Sequence, residues 1–444
     1  MQKKLVVIGG VAAGMSAASK ARRMNPDLPI AVYTDEEYIS YAGCGLPYFL
    51  GDTIPTKEKL VARTIQNFAE QNITVKNFSR VESIDPKNRT ISISNLKDGA
   101  IYDDSYDKLV IATGARALVP PIEGTDLKGI FKLRTINDSL DIKEYLREME
   151  PNRVVIIGGG YIGLEMVEIF KLKGCHVTLV ERAPHIIPNM DEDMAVILTE
   201  YLESQGVDVR TGETVKGFSG NISVRKVITD KGEIEADFVL LSIGVIPNSE
   251  IAKDCGIATG PRNAILVDRK MNTNIENILA AGDCATAPHI VTGKDVYIPL
   301  GTTANKQGKI AGENAAGGNA SFNGVIGTGI ARIMEMEVSR TGLSENECRA
   351  LGIEYESRKI KSRTAAHYCP TSGRIHLKLI AEKGTGCLLG AQIIGFSGSA
   401  ARIDMLAVAI TTRSTVQQLT DMDLAYSPPF SPVWDPVLVA LNQF

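Results

Sequence analysis

Two short glycine-rich turns, each set between an apolar run and a helix-forming stretch, constrain this chain most. In the first, Leu5–Ile8 runs into Gly9-Gly10-Val11-Ala12-Ala13-Gly14, and a helix of small residues is expected to about Met24. In the second, Arg153–Ile157 runs into Gly158-Gly159-Gly160-Tyr161-Ile162-Gly163, with a helix to about Lys173. Further strands are expected at Ile30–Thr34 and Val177–Val180. Strand, glycine turn and helix make a βαβ unit whose turn offers backbone N–H groups and a helix N-terminus to a pyrophosphate. Two such units, about 150 residues apart, mean two dinucleotide domains.

Two more strand ends belong to this pattern. Tyr106–Ala112 ends in Thr113-Gly114, and Asn277–Ala281 ends in Gly282-Asp283. From about Gly324 the texture changes. Ile375–Ile380 alternates as in an antiparallel sheet, Leu388–Ile394 is another strand, and a helix follows across Ala400–Thr412. The tail Tyr426–Pro436 is proline-rich. The expected class is therefore α/β: two Rossmann-like dinucleotide domains and an α+β C-terminal domain. The expected segments are 1–113 and 276–323 for the first, 114–275 for the second with connecting segments, and 324–444 for the C-terminal domain.

Composition excludes several classes. A length of 444 residues exceeds one ordinary core. A net charge of -4 argues against nucleic acid or an anionic membrane as the main partner. No apolar run reaches the roughly 18 residues needed to span a bilayer. The chain runs straight into a strand, so no signal peptide is expected. Seven scattered cysteines, none in a C-x-x-C pair, fit a reducing cytoplasm and neither a disulfide framework nor a zinc site.

The second turn is complete, and Glu181 closes the next strand where an acid can bond adenosine ribose hydroxyls. Glu181 favours NADH, and Arg182 beside it leaves NADPH open. The first turn departs from the fingerprint. Val11 holds the middle glycine position, and Thr34 stands at the strand-end acid position, with Asp35 and Glu36 next. Asp283 can accept from a ribityl hydroxyl of FAD; its bland reading is a helix N-cap.

Cys44 is the chemical centre. It lies in Ser40-Tyr41-Ala42-Gly43-Cys44-Gly45-Leu46-Pro47-Tyr48, and the partner of a C-x4-C redox pair would fall at Phe49. A cysteine so placed must form a mixed disulfide with a substrate thiol, or a sulfenic acid. Pro47 marks an expected helix start, whose dipole favours a thiolate.

In the order flavin turn, lone cysteine, Ala-Thr-Gly, nicotinamide turn, Ala-Gly-Asp and C-terminal domain, the chain resembles the pyridine nucleotide-disulfide oxidoreductases. The Cys44 segment is similar to their single-cysteine branch of coenzyme A-disulfide reductases, NADH oxidases and NADH peroxidases. The resemblance implies that the two Rossmann-like domains bind FAD and NAD(P) in that order and that the α+β C-terminal domain is a dimerisation domain, with cofactor contacts at Gly9, Gly10, Ala13, Gly14, Asp35, Thr113, Gly114, Gly158, Gly160, Tyr161, Ile162, Gly163, Glu181, Gly244, Gly282, Asp283 and Thr303. In the oxidases and peroxidases a histidine follows the first glycine turn. Here Ala12 matches it, and no histidine precedes His176. Coenzyme A-disulfide reductases instead use C-terminal tyrosines of the partner subunit, matching Tyr368 and Tyr426; the bland reading of each is interface packing. Coenzyme A phosphates need cations, and Lys20, Arg22 and Arg23 cluster at the end of the first helix, where a solvated C-terminus would also place them. Ser40 and Tyr48 complete the expected substrate side. Gly43 departs from the asparagine those reductases tend to have. The implied activity is NAD(P)H-dependent, FAD-linked reduction of coenzyme A disulfide, or a related small thiol disulfide, by a homodimer with shared active sites. Alternatives are a sulfenic-acid oxidase or peroxidase and a coenzyme A persulfide reductase. Relatives with that last role often carry a fused rhodanese domain, for which the chain leaves no room. A ferredoxin- or rubredoxin-type reductase would need neither Cys44 nor the tail.

Overall fold

A computed structural model describes residues 3–444. Contacts divide it into two units, one of residues 1–117, 134–139 and 245–325, the other of 118–133, 140–244 and 326–444. Residues 245–275, expected from the sequence in the segment 114–275, cluster with the first unit. The cause is local: Val245–Pro247 pairs antiparallel with Ala115–Ala117, and Asn248 bonds back to Thr113 and Gly114.

The first unit is built on a five-stranded parallel sheet in the order Ile278–Ala280, Lys108–Ile111, Leu5–Ile8, Ile30–Tyr33, Ile73–Lys76. Leu5–Ile8 is buried along its length, as a central parallel strand must be. The helix Ala12–Met24 is rich in alanine because the helix Gly301–Ala315 lies against it at backbone range. A Cβ on Gly308 would sit 2.3 Å from the Ala13 carbonyl oxygen, and one on Gly312 2.1 Å from that of Ala17. A three-stranded antiparallel meander over 79–105, which shows no motif, adds to this unit.

The second unit holds another parallel sheet, ordered Asp208–Thr211, His176–Glu181, Arg153–Ile157, Phe238–Leu241, Ile130–Lys132. It also holds a five-stranded antiparallel sheet, ordered Gly329–Ile333, Met336–Gly342, Leu388–Gly395, Arg374–Glu382, Tyr355–Arg363. The helices Ile403–Thr411 and Pro436–Leu441 pack on that sheet, as does Glu192–Ser204. Among the described residues no helix is long and apolar enough to cross a membrane, and no disulfide forms.

Candidate active site

In the first unit the Gly9–Gly14 turn and the Gly282-Asp283 turn meet. Gly9 has φ +113°, and a Cβ there would lie 2.0 Å from the Ala112 oxygen. A Cβ on Gly282 would reach within 2.7 Å of the Ala13 methyl. Thr113 Oγ1 donates to the Asn248 carbonyl at 2.5 Å, pinning the Thr113-Gly114 strand end. Thr303 is buried in the first turn of Gly301–Ala315. Asp283 caps no helix; Arg134 Nη2 donates to its carboxylate at 2.7 Å, and Arg134 Nε to the Ala115 carbonyl at 3.1 Å.

The structure divides the acids after the second strand. Asp35 faces solvent and pairs with Arg80 at 3.4 Å. Glu36 turns inward and accepts from Tyr41 Oη at 2.8 Å. Burial raises the Glu36 carboxyl above its ordinary value, against the Tyr41 hydrogen bond, and Arg134 opposes the shift. The strand stops at Tyr33, so alternation no longer says which acid points in. Arg134, Glu36 and Tyr41 therefore join the cluster around Asp283 without any sequence motif to announce them.

Cys44 is exposed on a 3-10 turn, Gly43–Gly45, which leads into the short helix Leu46–Leu50 with Pro47 in its first turn. Tyr48 sits one turn after it, half-buried, and Phe49 is buried in the core. The segment is held from both sides: Ser40 N–H donates to the Gly10 carbonyl, and Ala62 N–H to the Ser40 carbonyl, both at 2.8 Å. That ties the cysteine segment to the first glycine turn. Ser40 itself has φ +48°, a left-handed conformation. Arg22 is spent elsewhere, its guanidinium donating to the carbonyls of Asn25, Pro26 and Asn72. Arg23 stays exposed. Arg63, which the sequence did not single out, donates to Ser19 Oγ at 3.1 Å and stacks on Phe68.

In the second unit Gly158 has φ +106° and packs on the Ser242 carbonyl, while a Cβ on Gly160 would meet nothing. Glu181 accepts from Gly159 N–H through one oxygen and Ala183 N–H through the other, each at 2.7 Å. Ile162 is exposed at the helix start, and Tyr161 is half-buried beside Gly329. Gly244 has φ +112°. The glycine turn is braced by Ile187, whose N–H donates to the Gly159 carbonyl at 2.8 Å. Ile187 has φ +46°, rare for a β-branched residue. From there the chain reaches Asp191, whose carboxylate accepts from Gln392 Nε2 at 2.7 Å and lies 3.1 Å from Lys378 Nζ.

Tyr368 and Tyr426 come together on this unit, 64% and 49% exposed, and the Tyr368 hydroxyl is raised by its hydrogen bond to Tyr426. Cys369 Sγ donates to the Pro428 carbonyl at 3.2 Å, which ties the two segments. Phe430, Val433 and Trp434 expose apolar surface close by in sequence.

The helices that open the nucleotide motifs fit bound phosphates. Ala12–Met24, Tyr161–Leu172 and Gly301–Ala315 have no side-chain cap and no acid in the first turn. Elsewhere some helices are capped by Thr64, Ser344, Thr415 and Asp435, and the uncapped Glu192–Ser204, Glu250–Asp254 and Ile403–Thr411 each carry an acid in the first turn. Uncapped N–H groups and a helix dipole suit an anion. Two such turns on parallel sheets, one leading to an exposed cysteine, fit a dinucleotide-dependent oxidoreductase.

Comparison with known proteins agrees. The pyridine nucleotide-disulphide oxidoreductase model matches residues 3–308, and the dimerisation domain of the same family matches 330–436. The chain belongs to that family, whose cofactors are typically FAD and NAD(P)H. It is similar to a CoA-dependent NAD(P)H sulfur oxidoreductase of Pyrococcus furiosus, 40% identical over 99% of this chain and 98% of that protein. It is also similar to an NADH oxidase of Methanocaldococcus jannaschii, 37% identical over 99% and 98%. A solved NAD-dependent persulfide reductase from A. fulgidus superposes with a TM-score of 0.96 at 38% identity, over 99% of this chain and 82% of that one.

Proposed function

We propose that this protein is an NAD(P)H-dependent flavoprotein that reduces coenzyme A persulfides and polysulfides through a mixed disulfide at Cys44. The carrying observation is that Cys44 is exposed and in no disulfide, while the buried Phe49 stands where the resolving cysteine of a C-x4-C pair would. Its disulfide partner must then come from the substrate. Two relatives named for CoA-dependent sulfur or persulfide reduction turn the expectation from coenzyme A disulfide towards the persulfide. The objection that such enzymes need a rhodanese domain falls away, since the P. furiosus protein is matched over 98% of its own length.

The Cys44 thiolate attacks the coenzyme A-bound sulfur of the persulfide. Hydrosulfide leaves, and a Cys44–coenzyme A disulfide forms. Two electrons and a proton, together the equivalent of the hydride that one NAD(P)H gives up, then release coenzyme A thiol and restore the thiolate, so each protonated persulfide consumes one NAD(P)H and no further proton. Bound FAD supplies the relay of reducing equivalents, and it would be held by the Gly9 and Gly282 turns with Asp283, Arg134 and Thr303. The nicotinamide nucleotide would lie on the Gly158 turn with Glu181. Tyr426, bonded to Tyr368, would stabilise the thiolate that leaves. In a homodimer these tyrosines would serve the other subunit's cysteine, and the exposed Phe430, Val433 and Trp434 suit an interface.

The test is NADH oxidation with coenzyme A persulfide or coenzyme A disulfide under anaerobic conditions, and separately with oxygen as the sole acceptor. Persulfide should turn over fastest, and Cys44→Ser should abolish turnover while NADH still reduces the flavin. Turnover retained in that variant would sink the assignment. The oxidase name of the M. jannaschii relative favours a second reading, which oxygen consumption by wild type with a Cys44 sulfenic acid would establish.

A further inference from the structure

The face of the C-terminal sheet that packs on the helix Glu192–Ser204 carries a ladder of cations. Tyr355–Arg363 and Arg374–Glu382 pair in register so that Lys359 opposes Lys378, Lys361 opposes His376, and Arg363 opposes Arg374. Like charges directly opposite one another on neighbouring strands repel. At one end the protein answers this internally. Lys378 Nζ lies 2.8 Å from Asp193, 2.8 Å from Glu345 and 3.1 Å from Asp191, and Lys359 reaches Asp193 at 3.3 Å.

At the other end it does not. Among the described residues neither Lys361 nor Arg374 has a carboxylate within ion-pair distance, and both are exposed. Burial, then Lys361, Lys359 and Arg374, hold His376 below its ordinary value, and Glu200 opposes them. This unanswered half opens on a cleft of about 310 Å³. Lys361, Arg374 and His376 form one side. Ile197 and Met336 make an apolar floor, and Tyr201 and Phe396 stand edge to face, centroids 6.1 Å apart at 89°.

We propose that this cleft binds a mononucleotide-sized ligand, its phosphate on Lys361 and Arg374 and its flat base against Phe396 and Tyr201. Cations left without an internal partner supply the anion preference, and bidentate arginine suits phosphate. The volume sits at the lower end for small-molecule sites and is too small for a dinucleotide. Glu200 at the rim disfavours a second phosphate and suits a base's amino group.

Calorimetric titration with AMP tests this on the FAD holoenzyme, with NAD+ and coenzyme A both saturating so that their own sites are filled. One AMP should bind per subunit. Arg374→Gln and Lys361→Gln together should weaken it about tenfold or more, the loss expected for two charge-assisted contacts at a partly exposed site. The NAD+ affinity of the variant should not change. Phe396→Leu should weaken AMP while leaving the cations in place. Removing cations from a repulsive ladder should not lower the melting temperature in the absence of AMP. Equal AMP affinity in wild type and the double variant, or no AMP binding by wild type, overturns the site. Inorganic phosphate binding as tightly as AMP overturns the nucleotide assignment.

Discussion

Glu165 lies two residues beyond the last glycine of the second turn, half-buried on the helix Tyr161–Leu172, with Glu168 one turn on. Burial, then repulsion from Glu168, pushes its carboxyl up to about 7 from the ordinary 4.5. Glu168 is anchored by the Met334 N–H at 2.7 Å and by Arg332 at 3.4 Å, so the repelling charge cannot swing away. An acid whose folded value is raised penalises folding above its unfolded value, and the penalty fades as pH falls through the window between the two. Glu165→Gln removes it. With those two values linkage puts the gain at about 3 kcal/mol at pH 8, about 2 at pH 6 and under about 0.5 at pH 4.5. Water reaching this half-buried group trims the pH 8 figure to about 2 kcal/mol. At roughly 2–4 °C per kcal/mol, the variant should melt about 4–8 °C higher at pH 8 and level with wild type near pH 4.5. Scanning calorimetry across that range reads the difference directly. A gain that does not vary with pH, or a loss at pH 8, refutes the reasoning.

Two further outcomes follow from named contacts. Lys378→Met should behave with the opposite sign in the same pH series. Lys378 is 5% exposed, and removing it leaves the buried Asp191 without a cation and Asp193 and Glu345 with only Lys359 and Arg349, at a cost of about 3–5 kcal/mol near pH 8. Burial would raise Glu345 and Asp193, but hydrogen bonds from Lys378 and its charge hold both below their ordinary values. Wild type therefore loses that stability only as pH falls below about 4, while the variant's deficit narrows earlier as its acids protonate; a deficit constant with pH contradicts this. Gly43→Asn should fold normally, because a Cβ there would meet nothing nearer than the Tyr41 ring at 4.0 Å and its φ is not left-handed. One added hydrogen bond to the substrate should lower the KM for the coenzyme A substrate about fivefold, with flavin reduction by NADH unchanged. An unchanged KM, or a lowered melting temperature, counts against it.

What was legible in the sequence is what backbone geometry dictates. Leu5–Ile8 and Arg153–Ile157 are strands with the bounds their apolar runs imply, and the helices after both glycine turns end within a residue of expectation. Tyr368 and Tyr426, singled out by resemblance, do meet. Side chains that arrive from elsewhere in the chain were not legible. Arg134 reaches Asp283 across 149 positions, and nothing local marks it. Asp35 was the expected acid and Glu36 is the inward one, because period-two alternation ends where the strand does. Arg22 looked available for phosphate, but the carbonyls of Asn25 and Pro26 at the end of its helix, and of the distant Asn72, accept from its guanidinium.

The two glycine turns also separate glycines the fold needs from those a ligand needs. A Cβ on Gly9 or Gly158 would strike a carbonyl of the neighbouring strand's end, and one on Gly14 or Gly163 would strike the oxygen of Gly9 or Gly158, at 1.9 and 2.1 Å. These four positions are glycine because the chain packs on itself there. Gly160 differs: its Cβ would meet no atom of the protein, so folding does not require glycine at that position. What remains is the space outside the chain, where a pyrophosphate approaches backbone N–H groups. Val11 is the first turn's residue at this same position, the N-cap of its helix, and it leaves the packing glycines on either side intact. Its departure from the fingerprint therefore bears on how closely a phosphate can approach that turn, and leaves the turn itself unchanged.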